Sequence, residues 1–269
     1  VSKNNEIKIF LGFGFLTSTI TLAQTQCFLA QENNKIIKQE GDSKARYSPC
    51  STFKIPLSLI GYDAEILTDE THPVWPFKEG YDAFRDAWRQ NQTPQSWIKE
   101  SCVWYSQVLT QQLGIEKFQN YVTKLNYGNK DLSGDAGKHN GLTQAWLSSS
   151  LEISPQEQLE FLQKLRDNAL PVSEHAHTMT KSILFVEELP SGWKLYGKTG
   201  SGYLLNEAKT QKSEIRHGWF IGWIEKNNRK IIFVHHIVDD QKEETHAGPR
   251  AKKEAKEKLL QMIDSMEKG

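Results

Sequence analysis

What this sequence has little of narrows its class first. Cysteine is scarce and odd in number: Cys27, Cys50 and Cys102 are the only three. Three thiols allow at most one internal disulfide, so the chain is not a disulfide-stapled scaffold. An excess charge of one sign is also missing: Lys plus Arg and Asp plus Glu each number 33. Without a basic field, nucleic acid is not expected as a partner. There is no internal repeat and no low-complexity tract, which excludes solenoids and disordered arrays. No His-Glu-x-x-His occurs, His175-Ala176-His177 lacks a downstream Asp, and His235-His236 lies in a strand pattern that turns the two rings to opposite faces. No metal site is expected.

Long apolar runs are missing too. The first, Ile9 to Ala23, is too short to span a bilayer comfortably and follows Lys3 and Lys8. It ends on Thr21-Leu22-Ala23, an acceptable small-residue cleavage site. We read residues 1–23 as an export signal and residues 24–269 as one mature periplasmic domain with no membrane anchor. Gln26-Cys27 does not suit lipid attachment, because a bulky Gln precedes the thiol.

What is present is an ordered series of elements. Cys27–Ala30 and Lys35–Lys38, joined through Asn33-Asn34, read as a β-hairpin. Tyr47-Ser48-Pro49 feeds a helix expected from Ser51 to about Leu67, and Thr71–Asn91 reads as irregular. Pro94 opens a helix expected to run unbroken to Gly114, and a shorter one follows. A polar loop spans Lys130–Gly141. Ser154-Pro155-Gln156-Glu157 is a capping box with Pro at the first helical position. A second helix is expected over about Glu174–Val186. Strands are expected at Trp193–Tyr196, His217–Ile224 and Lys230–Val238, and a last helix over about Arg250–Met266. Strands at both ends around a helical middle predict one antiparallel sheet built from the two termini, flanked by helices, with an inserted helical subdomain.

Four short motifs carry chemistry. In Ser51-Thr52-Phe53-Lys54, a hydroxyl and an amine fall one turn apart on one helix face. The helix start offers free N–H groups to a developing oxyanion. Apolar neighbours lower the amine's pKa and make it a base, or a group able to take up carbon dioxide as a carbamate. Ser101-Cys102-Val103 is expected on the helix after Pro94. Tyr127-Gly128-Asn129 ends a helix. Lys198-Thr199-Gly200, unique in the chain, is expected at the end of a strand. Cys50 and Cys102 adjoin these motifs and read as small buried hydrophobes rather than catalytic thiols.

A Ser-x-x-Lys, Ser-Asp-Asn, Lys-Thr-Gly series marks penicillin-binding proteins and class A β-lactamases. Here Ser101-Cys102-Val103 replaces the second member, and Tyr127-Gly128-Asn129 is added. In that departure the chain resembles the class D, oxacillinase-type serine β-lactamases. Tyr47-Ser48-Pro49, Ala145-Trp146-Leu147, Ile153–Gln158 and Gly218–Trp223 resemble them as well. The resemblance implies the serine β-lactamase and penicillin-binding-protein fold. It implies Ser51 as nucleophile, Lys54 carboxylated from CO2 as general base with no other cofactor, and Ser101 as proton relay. It implies an apolar pocket of Phe53, Val103, Trp146 and Leu147, with the Trp146 indole holding the carbamate. The backbone N–H groups of Ser51 and Ser201 are the implied oxyanion hole, and Lys198, Thr199 and Gly200 the substrate-binding strand. Arg250 is the candidate for the substrate carboxylate. The implied partner is a small β-lactam, and the implied state a monomer or homodimer. A sensor domain that stays acylated, and a D,D-peptidase, are the alternative readings of the same nucleophile.

Overall fold

The computed structural model describes residues 25–268, so the expected export signal lies outside the described residues. A six-stranded, wholly antiparallel sheet runs through the described residues in the order β2 (Lys35–Glu40), β1 (Thr25–Glu32), β6 (Arg229–Val238), β5 (Lys212–Lys226), β4 (Trp193–Leu205), β3 (Phe185–Leu189). Strands β1 (Thr25–Glu32) and β2 (Lys35–Glu40) form the expected hairpin, and the left-handed Asn33 and Asn34 turn it. β1 then pairs with the distant β6 (Arg229–Val238), which closes the sheet from both ends of the described chain.

Between these ends lie helices α1 (Lys54–Asp63), α2 (Pro94–Glu100), α3 (Val103–Leu113), α4 (Ile115–Lys124), α5 (Gly141–Gln144), α6 (Pro155–Arg166) and α7 (Glu174–Ser182). The Ser154 capping box of α6 is present in full: Ser154 Oγ accepts from the Glu157 N–H, and Glu157 accepts from the Ser154 N–H. Two expectations near the sheet needed correction. The helix expected to Val186 stops at Ser182, and Phe185–Leu189 is instead the edge strand β3. Phe185, Glu187, Glu188 and Leu189 pair with β4 (Trp193–Leu205), a tertiary gain that local pattern does not show. β4 also runs far past Tyr196, so Lys198-Thr199-Gly200 sits inside the strand rather than at its end.

β5 (Lys212–Lys226) and β6 are apolar on both faces because both faces are covered. Ile221, Trp223, Ile232 and Val234 face the helical subdomain, while Phe220, Ile224, Phe233 and Ile237 face α8 (Ala247–Lys268). On α8, Ala247, Ala251, Ala255, Leu259 and Ile263 recur every fourth residue and are all buried. Burial of Leu259 and Ile263 stabilises this docking by about 1.5–3 kcal/mol each. At its start the helix is so close to β5 that a side chain on Gly218 would collide with the Ala247 backbone. That close approach brings the N-terminus of α8 against the middle of β4.

Candidate active site

Ser51 lies in a 3-10 turn, Cys50–Phe53, that runs directly into α1 at Lys54. Helix α1 ends at Asp63, short of the expected Leu67. One turn separates the two side chains as expected, and Lys54 Nζ donates to Ser51 Oγ at 3.2 Å. Lys54 is completely buried, and no salt bridge reaches it among the described residues. Desolvation pulls its pKa down from 10.5 to about 8, against a smaller opposing pull from Cys102 and Cys50. The serine is half-exposed. A poised amine thus stands behind an accessible hydroxyl.

Ser101 departs from expectation in a useful way. The helix from Pro94 is broken: α2 ends with Ser101 in the left-handed region at φ 59°, and α3 restarts after an extended Cys102. The N–H groups of Ser101 and Cys102 turn back to the carbonyls of Ile98 and Trp97, which closes the helix end. A left-handed serine costs about 1 kcal/mol. The break frees its hydroxyl to accept from Lys198 Nζ at 2.9 Å. Lys198 is buried, and desolvation first, then the nearby cations Lys54, Arg85 and Lys252, hold its pKa well below the ordinary lysine value.

Strand β4 presents the third wall. Gly200 lies so close to the nucleophile turn that an added Cβ would sit 2.8 Å from the Pro49 carbonyl oxygen. Gly202 is under the same constraint from the Cys50 thiol. The N–H of Gly197 donates to Leu184 and that of Tyr203 to Ser148 Oγ, both away from β5. Strand alternation therefore turns the N–H groups of Thr199 and Ser201 to the same open edge. The Ser201 N–H is so directed towards the Ser51 turn, as an oxyanion donor requires.

Trp146 is fully buried and stacked on Phe53 with ring centres 5.6 Å apart. Its indole Nε1 has no hydrogen-bond partner among the described residues. A buried indole N–H left without an acceptor is costly, and an acceptor group on Lys54 would fit it. Val103 and Leu147 pack against the same core. Tyr127-Gly128-Asn129 anchors the segment that carries Trp146. Asn129 bonds Ser150 O at 2.8 Å and the Glu152 N–H at 3.0 Å, and Gly128 is left-handed with no room for a side chain against Glu152. Tyr127 Oη reaches Gln158 at 3.3 Å, and Gln158 donates to Thr52 Oγ1 at 3.1 Å, so the motif also braces the nucleophile turn.

Arg250 is placed otherwise than its candidate role suggests. Its Nη1 and Nη2 donate to Asp239 Oδ1 and Oδ2 at 2.8 and 2.6 Å, and Asp239 is buried. A guanidinium locked in a two-pronged pair is not a free anion receptor.

This architecture has named relatives. The chain matches the family described as penicillin binding protein transpeptidase domain over residues 17–261. It is 43% identical over 218 residues to beta-lactamase OXA-9 of Klebsiella pneumoniae, covering 80% of this chain and 79% of that one. Beta-lactamase OXA-1 of Escherichia coli is 39% identical over 234 residues, covering 85% of this chain and 82% of that one. The crystal structure of OXA-427 class D beta-lactamase superposes with a TM-score of 0.84 at 44% identity, over 90% of this chain and 99% of that chain. The chain belongs to the class D β-lactamases.

Behind the site, this class D chain has a buried polar cluster that its motifs did not announce. Ser48 Oγ donates to the Trp146 carbonyl at 2.8 Å and accepts from the Ser148 N–H at 2.9 Å, which ties the nucleophile turn to the tryptophan loop. The Trp219 indole donates to Ser48 O at 2.9 Å. Cys50 Sγ lies 3.7 Å from His217 Nε2, and His217 Nδ1 lies 3.1 Å from His236 Nε2. The three cysteines are free and buried. Burial raises the thiol pKa of Cys50 and lifts that of Cys102 to about 11, as suits packing rather than nucleophilic chemistry. His235, on the opposite face as expected, bonds Cys27 O and Glu254. The Tyr47-Ser48-Pro49 turn, the Gly218–Trp223 run and the His235-His236 pair, which supply Ser48, Trp219 and His236, were the sequence signals that could have pointed to this cluster.

Proposed function

We propose that this chain hydrolyses penicillins and related β-lactams through a serine acyl-enzyme, and so confers resistance to them. The reading rests above all on the buried Lys54 amine, 3.2 Å from Ser51 Oγ. Ser51 Oγ attacks the strained lactam carbonyl, the carbonyl–nitrogen bond breaks, and the ring nitrogen takes a proton through Ser101. The Ser51 and Ser201 N–H groups receive the oxyanion. Lys198 and Thr199 orient the substrate carboxylate. Water then cleaves the ester and frees Ser51. Carboxylation of Lys54 supplies the general base for both halves. The orphaned Trp146 indole supports that assignment, as does the amine pKa of about 8, since only a neutral amine captures CO2.

We also propose export to the periplasm on residues 1–23. No helix among the described residues is long and apolar enough to cross a membrane.

Mass spectrometry during turnover of oxacillin with bicarbonate tests the reading. The expected result is a short-lived adduct on Ser51 that disappears as ring-opened product accumulates. An adduct that persists for hours would instead identify a sensor, and release of D-alanine from a peptide would identify a D,D-peptidase.

A further inference from the structure

The two N–H donors assigned to the oxyanion each stand one residue from a single buried contact. Cys50 immediately precedes Ser51, and Gly202 immediately follows Ser201. A Cβ added to Gly202 would sit 2.4 Å from Cys50 Sγ, 2.5 Å from Ser148 Oγ and 3.0 Å from His217 Nε2. The sulfur therefore rests on bare backbone of β4, and only glycine leaves room for it.

Both sides of this contact are held in place. Cys50 is left-handed at φ 49°, a backbone state that a residue with a side chain keeps only when its surroundings enforce it. Its buried thiol donates to Ser48 Oγ at 3.8 Å and lies 3.7 Å from His217 Nε2 and 4.0 Å from Ser148 Oγ. His217 is the cross-strand partner of Gly202, and its other ring nitrogen meets His236 at 3.1 Å. Ser148 Oγ accepts from the Tyr203 N–H at 2.9 Å, one residue past Gly202. The Ser48 carbonyl, which a 3-10 turn would offer to the Ser51 N–H, is engaged by the Trp219 indole at 2.9 Å, which favours release of that N–H to the site.

So short a link on each side passes any change in the gap between Cys50 and Gly202 on to the gap between the Ser51 and Ser201 N–H groups. Oxyanion stabilisation depends on that second gap, because both donors must lie about 2.7–3.1 Å from one oxygen. We propose that Cys50 is a positioning residue for the reaction: together with His217 and Ser148 it holds its sulfur against Gly202 as a spacer, and so sets the distance between the two oxyanion donors without touching the substrate. The inference rests on the β-lactamase reading above and gives a role to a side chain that this reading leaves without one.

Turnover of benzylpenicillin and binding of a phenylboronic acid test the spacer, since the boronic acid's tetrahedral adduct on Ser51 places an oxygen between the donors. Cys50→Ala removes the spacer. It should lower kcat/KM about tenfold, and boronic acid affinity by the same factor, because both donors are displaced but neither is lost. Gly202→Ala should cost as much by forcing the sulfur away, and it supplies the same readout if Cys50→Ala does not fold. In Cys50→Ala/Gly202→Ala the added methyl group stands close to where the sulfur was. The double variant should therefore recover to within about threefold of wild type, instead of showing the roughly hundredfold product of two independent losses. A fall in kcat/KM with boronic acid affinity unchanged would reveal a merely structural role and overturn the spacer. Multiplying losses in the double variant, or single variants within about twofold of wild type, would overturn it as well. If the wild-type protein does not turn over benzylpenicillin, the β-lactamase reading falls and takes the spacer with it.

Discussion

Lys54 Nζ and Ser51 Oγ are 3.2 Å apart, and the lysine is the buried member of the pair. Burial lowers the amine pKa to about 8, so the charged form dominates at neutral pH and roughly a tenth of the protein carries a neutral amine at pH 7. The cost of holding a buried ammonium applies in full below about 8 and fades as pH rises towards 10.5. Only the neutral amine reacts with CO2. After CO2 is stripped in acid, activity should therefore return, at fixed dissolved CO2, at a rate that rises about tenfold per pH unit below pH 8 and levels above it. Stopped assays of regained activity measure this directly. A regain rate that does not change between pH 6 and pH 8.5 would place the amine pKa elsewhere.

Trp146 gives a second prediction. Trp146→Phe keeps most of the ring that stacks on Phe53 and removes only the buried N–H. A hydrogen bond to a charged acceptor contributes about 1.5–3 kcal/mol, or roughly 10–150-fold in affinity. The variant should need that much more bicarbonate for half-maximal carboxylation, read from the carbamate signal of ¹³C-labelled bicarbonate by NMR. Because that signal does not depend on turnover, it separates loss of the carbamate from general damage to the site. Equal bicarbonate dependence in variant and wild type would remove the indole from this role.

Much of this could be seen in the chain beforehand, and what could not has physical reasons. The Ser154 cap, the Asn33-Asn34 hairpin and the Ser51–Lys54 pair depend on neighbours within a few residues, and they appear where local chemistry puts them. The break at Ser101 was invisible because nothing in Lys99–Trp104 disfavours a helix; contact with Lys198, 97 positions away, rewards the break. β3 was hidden for the same reason, since its partner is β4. Strand β5 was found short because sheet pairing extends it through polar residues such as Arg216 and Glu225, whereas β6 was placed to within one residue. Arg250 was singled out from the resemblance, as an arginine near the last helix, but its fork is spent on Asp239, which sits in the loop after β6.

The histidines behind the nucleophile set the acid limit. His217 is buried against Cys50 and His236, and His236 packs on Tyr47 and Trp219 with ring centres 4.2 and 3.9 Å apart. Desolvation lowers the His217 pKa to about 4, with Asp239 pulling the other way and itself bound to Arg250. Desolvation first, then His217 and His235, also hold His236 well below 6.5. The sign follows from proton uptake. Above pH 6.5 both folded and unfolded chains carry a neutral His217, and nothing is lost. As pH falls from 6.5 towards 4 the unfolded chain takes up the proton and the folded chain does not, so stability drops by about 1.4 kcal/mol per pH unit. Over that window His217 alone should remove about 3 kcal/mol. Urea unfolding at pH 7, 6, 5 and 4.5 should show the midpoint falling steadily. His217→Gln, which cannot take up a proton, should flatten that slope even where it lowers the stability at pH 7. A wild-type midpoint that is level from pH 7 to 4.5, or a slope unchanged in the variant, would mean that this buried pair does not govern acid sensitivity.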